Sequence, residues 1–162
     1  MRHVLSIVVE NKAGALARVV NMFSRRGYSI DSLSVGTTED SQFSRITITL
    51  TGDEQVVEQI QRQVEKLVEV KKVSELKPAA AIFRELCFVK VRADGQSRPD
   101  IFNVTNVFRA NIIDVSTQTM TMELTGDVDK VDAFLELMKP YGVLEIVRTG
   151  LAAIARGAET MI

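Results

Sequence analysis

Four residues near the start, Asn11-Lys12-Ala13-Gly14, combine types suited to holding a small charged molecule. They follow the apolar run Val4-Leu5-Ser6-Ile7-Val8-Val9, which reads as a buried strand. They precede Leu16, Val19, Val20 and Phe23, whose i, i+3, i+4, i+7 spacing marks one face of a helix. The chain therefore passes from strand to helix through Asn11 and Gly14. A helix start presents unpaired backbone N–H groups and a partial positive charge, a setting that holds a carboxylate. Gly14 has no side chain to keep a ligand from that backbone. The Asn11 amide both donates and accepts, which suits an amino acid with its two opposite charges. The plainer reading is that Asn11 only caps the helix.

Other chemistry is hard to assemble from this sequence. There is no G-x-x-x-x-G-K-[ST] phosphate loop and no dinucleotide G-x-G-x-x-G. The single histidine, His3, lies near the terminus and reads as a surface residue. The single cysteine, Cys87, sits in the apolar run Leu86-Cys87-Phe88-Val89 and reads as buried and inert. Neither a Ser-His-Asp nor a Cys-His set is credible, and no zinc site can be built from these two residues. Glu39, Asp40, Asp53 and Glu54 fall at turns and helix starts, where solvated or capping roles account for them. No residue is assigned a catalytic or metal-ligating role, no cofactor is expected in this chain, and the sequence favours binding and regulation over catalysis.

Composition sets the frame. The 162 residues suit one domain or two small ones, and 46% apolar content is ordinary for a globular protein. A net charge of -1 gives no case for general nucleic-acid binding. No apolar run reaches membrane-spanning length, and no leader pattern is read at the start. One cysteine allows no internal disulfide, which fits a reducing, cytoplasmic setting.

The elements that must position Asn11 and Gly14 are written twice. Leu50-Thr51-Gly52-Asp53 recurs as Leu124-Thr125-Gly126-Asp127, each time between an alternating strand and an amphipathic helix. The first strand sets Ile46, Ile48 and Leu50 against Arg45, Thr47 and Thr49, and the second sets Met120, Met122 and Leu124 against Thr119, Thr121 and Glu123. Such alternation predicts a sheet with one packed face and one polar face. Asp53 and Asp127 are expected N-caps, and Gly27 is an expected helix stop. Upstream, Asn21-Met22-Phe23 echoes Asn106-Val107-Phe108, and Ile30-Asp31 echoes Ile113-Asp114, with a tighter hairpin in the second copy. Each half reads strand, helix, strand, strand, helix, strand. The expected fold is α+β, two ferredoxin-like βαββαβ domains in tandem. Residues 1–77 form the first domain, 78–83 a linker around Pro78, and 84–162 the second domain with a short tail. The tail from Leu151 is expected to form a short helix ending near Gly157 or to stay mobile. The RNA-recognition motif shares this element order, but its base-stacking aromatics and basic residues are missing; Phe43 is the only aromatic near the third strand.

Taken together, these motifs resemble the small, regulatory subunit of acetohydroxyacid synthase (acetolactate synthase) over nearly the full length. The match runs through Glu10-Asn11-Lys12-Ala13-Gly14-Ala15-Leu16-Ala17-Arg18-Val19, then Phe23-Ser24-Arg25-Arg26-Gly27-Tyr28. It continues in Leu67-Val68-Glu69-Val70, Val73-Ser74-Glu75-Leu76, Arg84-Glu85-Leu86, Ile112-Ile113-Asp114-Val115 and Arg148-Thr149-Gly150 with Arg156-Gly157. The resemblance implies that the N-terminal domain is an ACT domain, an amino-acid-binding module. It implies a homodimer, and a partner large subunit that carries thiamine diphosphate, Mg2+ and FAD and condenses pyruvate with a second 2-oxoacid. The small subunit would raise that activity and confer inhibition by valine or another branched-chain amino acid. Asn11 and Gly14 would bind the amino acid's polar groups, with Ala13, Ala15 and Leu16 beside them, and Ser29 and Ile30 would close the site from the other chain. Many relatives carry Asn where this chain has Ser29, whose hydroxyl has a shorter reach. The alternative is a free-standing ACT-type sensor that regulates a different enzyme.

Overall fold

Alternation in the strands and amphipathic spacing in the helices give the layers seen in the computed structural model, which describes residues 1–161. The chain forms two compact units. The first contains Met1–Phe83 together with the chain from Gly150 onward, and the second contains Arg84–Thr149.

In the first unit β1 (Arg2–Glu10) leads to α1 (Ala15–Arg25), then β2 (Ser32–Thr37), β3 (Phe43–Thr51), α2 (Glu54–Val64) and β4 (Val70–Glu75). The sheet is antiparallel, in the order β2-β3-β1-β4. Register pairs Leu5 with Ile48 and Ile7 with Ile46. These side chains form a core with Val19 and Phe23 of α1 and Val57, Ile60 and Val64 of α2. Gly27 (φ 70°) ends α1 in the left-handed region, and Tyr28 N–H donates back to Phe23 C=O at 3.0 Å, as expected of a glycine stop.

The second unit repeats the plan from Arg84, with the rest of β5 (Ala81–Arg92, whose first three residues belong to the first unit), α3 (Arg98–Val107), β6 (Asn111–Val115), β7 (Thr119–Gly126), α4 (Val128–Met138) and β8 (Val143–Arg148). Its strand order β6-β7-β5-β8 matches that of the first sheet. Cys87, Val89, Met120, Met122, Leu124, Ile101, Val131 and Phe134 make its core. Burial pushes the Cys87 thiol up, consistent with an inert core residue. The duplication extends to a bulge: register slips between Val8 and Val9 against β4, and between Lys90 and Val91 against β8. Asp127 caps α4 by accepting from Lys130 N–H at 2.9 Å, whereas Asp53, at the same place in α2, makes no such bond.

The tail and the linker differ from expectation. Ala152–Ala155 is a strand, β9, which pairs with β5. Arg156 N–H donates to Ala80 C=O at 2.9 Å. Residues 150–161 thus join the first unit instead of trailing from the second. The linker shrinks to one 3-10 turn, Pro78–Ala80, because β5 already begins at Ala81. The expected polar face of the first sheet is also different. Thr47 and Thr49 are buried, at 4% and 3% exposure. The tail is anchored on that face. Ser34, opposite Thr47, donates to Leu151 C=O at 2.7 Å, and Lys72, opposite Val8, donates to Thr160 C=O at 3.2 Å. Leu151, Ala153 and Met161 are buried in turn. His3 is likewise buried, with Nδ1 2.6 Å from Glu75 Oε1 and Nε2 3.2 Å from Gly52 C=O.

Candidate functional site

Gly14 is the N-cap of α1 and holds φ 88°, ψ -12°, a left-handed conformation that favours glycine. A Cβ added there would meet no atom within 4 Å, so the backbone at this point faces open space. Ala15 N–H turns back to Lys12 C=O at 3.2 Å, and Arg18 N–H is the first to bond into the helix, on Gly14 C=O at 3.0 Å. Among the described residues the N–H groups of Leu16 and Ala17 have no partner. The first turn of α1 has no acidic residue and no side-chain cap. Its positive end is therefore available to a carboxylate from outside.

Asn11 does not cap the helix. Its backbone N–H donates to Gln42 C=O at 2.7 Å and its Nδ2 to Ser41 C=O at 3.0 Å. The β2–β3 hairpin thereby fixes the strand-to-helix turn, while Asn11 Oδ1 has no partner among the described residues. Lys12 and Lys71 both pair with Glu10, at 2.6 and 3.0 Å. Lys71 is the extra residue of the β1–β4 bulge. The hydrogen bonds from Lys12 and Lys71 hold the Glu10 carboxyl down to about 2, and the Lys12 ammonium is raised by the same bond. The cation of the motif is thus neutralised locally, which leaves the peptide N–H groups as the unpaired donors at this turn. Ala15 is buried at 3%, Leu16 packs partly against the core, and Ala13 is exposed.

Ser29 and Ile30 lie elsewhere. Ser29 is exposed, and Ile30 packs partly against the core. The next residue, Asp31, donates its N–H to Thr49 C=O at 2.9 Å and accepts from Thr51 Oγ1 at 2.8 Å. Asn11 sits beside Gln42, at the opposite end of β3. The two groups are separated by six or more residues of strand, roughly 20 Å at about 3.3 Å per residue. One copy of the chain does not bring them together. Two cavities of this unit, of about 700 and about 320 Å³, are lined by neither group.

Known sequences place this geometry in a family. The AHAS small subunit-like ACT domain matches residues 5–72, and the small subunit of acetolactate synthase matches residues 84–157. The chain is 50% identical over 157 residues to the probable acetolactate synthase small subunit of Archaeoglobus fulgidus, covering 97% of this chain and 98% of that one. The chain belongs to the acetolactate synthase small-subunit family. Another member, the isozyme 3 small subunit of Salmonella typhimurium, is 44% identical over 162 residues, with 99% of each chain covered. The crystal structure of the Thermotoga maritima acetolactate synthase small subunit matches with a TM-score of 0.90 at 40% identity, covering 98% of this chain and 99% of that one. As in that family, the first unit is an ACT domain, and both Asn11–Leu16 and Ser29–Ile30 fall inside its matched span.

The sequence does not disclose every paired group of the first unit. His3 and Glu75 are 72 positions apart, and Lys71 reaches Glu10 only through the β1–β4 pairing. Among the described residues no group of three or more His, Cys, Asp or Glu is placed to hold a metal ion. None of the described helices is long and apolar enough to cross a membrane.

Proposed function

We propose that this small subunit is a non-catalytic regulator that stimulates an acetolactate synthase large subunit in the cytoplasm and makes it sensitive to a branched-chain amino acid, valine foremost. The observation that carries this reading is the helix start at Gly14, with open space in front of it, unpaired N–H groups behind it and no acidic side chain in its first turn. These groups take the ligand carboxylate; Asn11 Oδ1 takes the ammonium. Ala13, Ala15 and Leu16 line the approach.

Because Ser29 and Ile30 are roughly 20 Å away along the sheet, they serve the site only from a second copy. A twofold homodimer repeats the site twice. The chemistry, with thiamine diphosphate, Mg2+ and FAD, belongs on the large subunit. Regulation follows when the amino acid prefers one arrangement of the assembly, since equal affinity for two states shifts neither.

The test is reconstitution. The purified chain alone should form no acetolactate from pyruvate. Added to its cognate large subunit it should raise the rate, and valine, leucine and isoleucine should then inhibit to different extents. Absence of both stimulation and calorimetric binding of any of the three would reject the proposal. Binding without a stable complex with the thiamine enzyme would point to a sensor for another enzyme.

A further inference from the structure

We propose that the first unit carries a second ligand site, centred on Arg45, that takes a small α-amino acid as its zwitterion. The site is a cavity of about 320 Å³, at the low end of the range for small-molecule pockets. Thr37, Thr38 and Glu39 line it from the hairpin, Arg45 from β3, and Glu159 and Met161 from the tail. Arg45 lies between Ser44 and Ile46, opposite Val8 and Gly36, so it projects from the face away from α1. This is not the face of the Gly14 turn.

The Arg45 Nε–H is buried and has no hydrogen-bond partner. Among the described residues no carboxylate pairs with this guanidinium, and no cation pairs with Glu39 or Glu159. A buried donor left unmade is costly, and a planar guanidinium matches a carboxylate. Thr38 Oγ1 is engaged with Asp40, so the guanidinium is the donor left for that carboxylate. One cation beside two carboxylates disfavours a dianion such as phosphate. It suits a molecule with a negative and a positive end, the ammonium facing Glu39 and Glu159. Met161, 5% exposed, closes an apolar wall that admits a short side chain. A ligand here joins the hairpin to the tail and holds the tail against the sheet.

Proton–nitrogen NMR of arginine Nε–H groups tests this on the full-length chain. The Arg45 peak is assigned by its loss in Arg45→Gln. L-Alanine should shift it saturably, with an affinity of about 1 mM or tighter. Gly14→Asp should leave that shift unchanged, and amide exchange across residues 150–161 should slow on saturation. Glu39→Gln with Glu159→Gln should weaken alanine about tenfold while leaving acetate unaffected or tighter. If Arg45→Gln fails to fold, Arg45→Lys keeps the cation and should still lose the alanine-induced slowing of tail exchange. No saturable shift, loss of the shift in Gly14→Asp, or a larger response to phosphate than to alanine would overturn the proposal.

Discussion

Gly14 ties backbone conformation to ligand access in a single residue. At φ 88° any L side chain is strained, by about 1–2 kcal/mol, and it projects into the space the ligand carboxylate would use. Gly14→Asp should therefore abolish inhibition by valine in the reconstituted complex while stimulation persists; an unchanged inhibition curve would place the effector elsewhere. Ser29 offers the proposed site only a short hydroxyl. Ser29→Asn should lower the valine concentration for half-inhibition several-fold, read from the same titration. Glu75 supports the ACT domain from beneath. Burial raises its carboxyl, but the hydrogen bonds from His3 and Lys77 outweigh that and leave it below its ordinary value of 4.5. A carboxylate lowered in the folded state stabilises the fold above 4.5, and that contribution fades as pH falls through the lowered value. Glu75→Gln should cost about 1–2 kcal/mol near neutral pH and flatten the acid limb of melting temperature against pH.

At the scale of elements, the duplicated strand–turn–helix pattern carried most of the fold. Ile46, Ile48 and Leu50 point to the helices as their alternation requires, and Met120, Met122 and Leu124 do the same in the second copy. Gly14 and Gly27 were legible because left-handed backbone selects glycine. The tail was not legible: β9 is four residues, three of them alanine, without enough alternation to separate strand from helix. Its strand state comes from pairing with β5 and from the bonds to Ser34 and Lys72. The polar alternation of Thr47 and Thr49 read as solvent-facing for the same reason, since what covers them lies about a hundred residues downstream. His3 reads as surface in the sequence because nothing local announces Glu75. Leu151→Ala should lower stability by about 2–3 kcal/mol and speed amide exchange in β2, since Leu151 is 4% exposed and its carbonyl holds Ser34. A melting temperature equal to the parent's would show that the tail adds nothing to the sheet.

At the scale of the molecule, the separation of Asn11 from Ser29 would make the proposed regulation a property of a pair of chains. Effector binding and dimerisation should be linked: light scattering on dilution should show valine holding the dimer together, with two ligands per pair. Coupling of about 1–3 kcal/mol suffices for inhibition of several-fold to a hundredfold. Binding that is indifferent to protein concentration, by chains that remain monomeric, would break this link. The return of the tail to the first unit has a further consequence, one of timing. The first unit stays unfinished on the ribosome until Arg84–Thr149 has been made, an interval of roughly 3–13 s at about 5–20 residues per second. Throughout that delay the nascent ACT sheet exposes the strip around Ser6, Thr47 and Thr49, so translation speed through the second unit sets how long newborn chains are open to mispairing or to a chaperone.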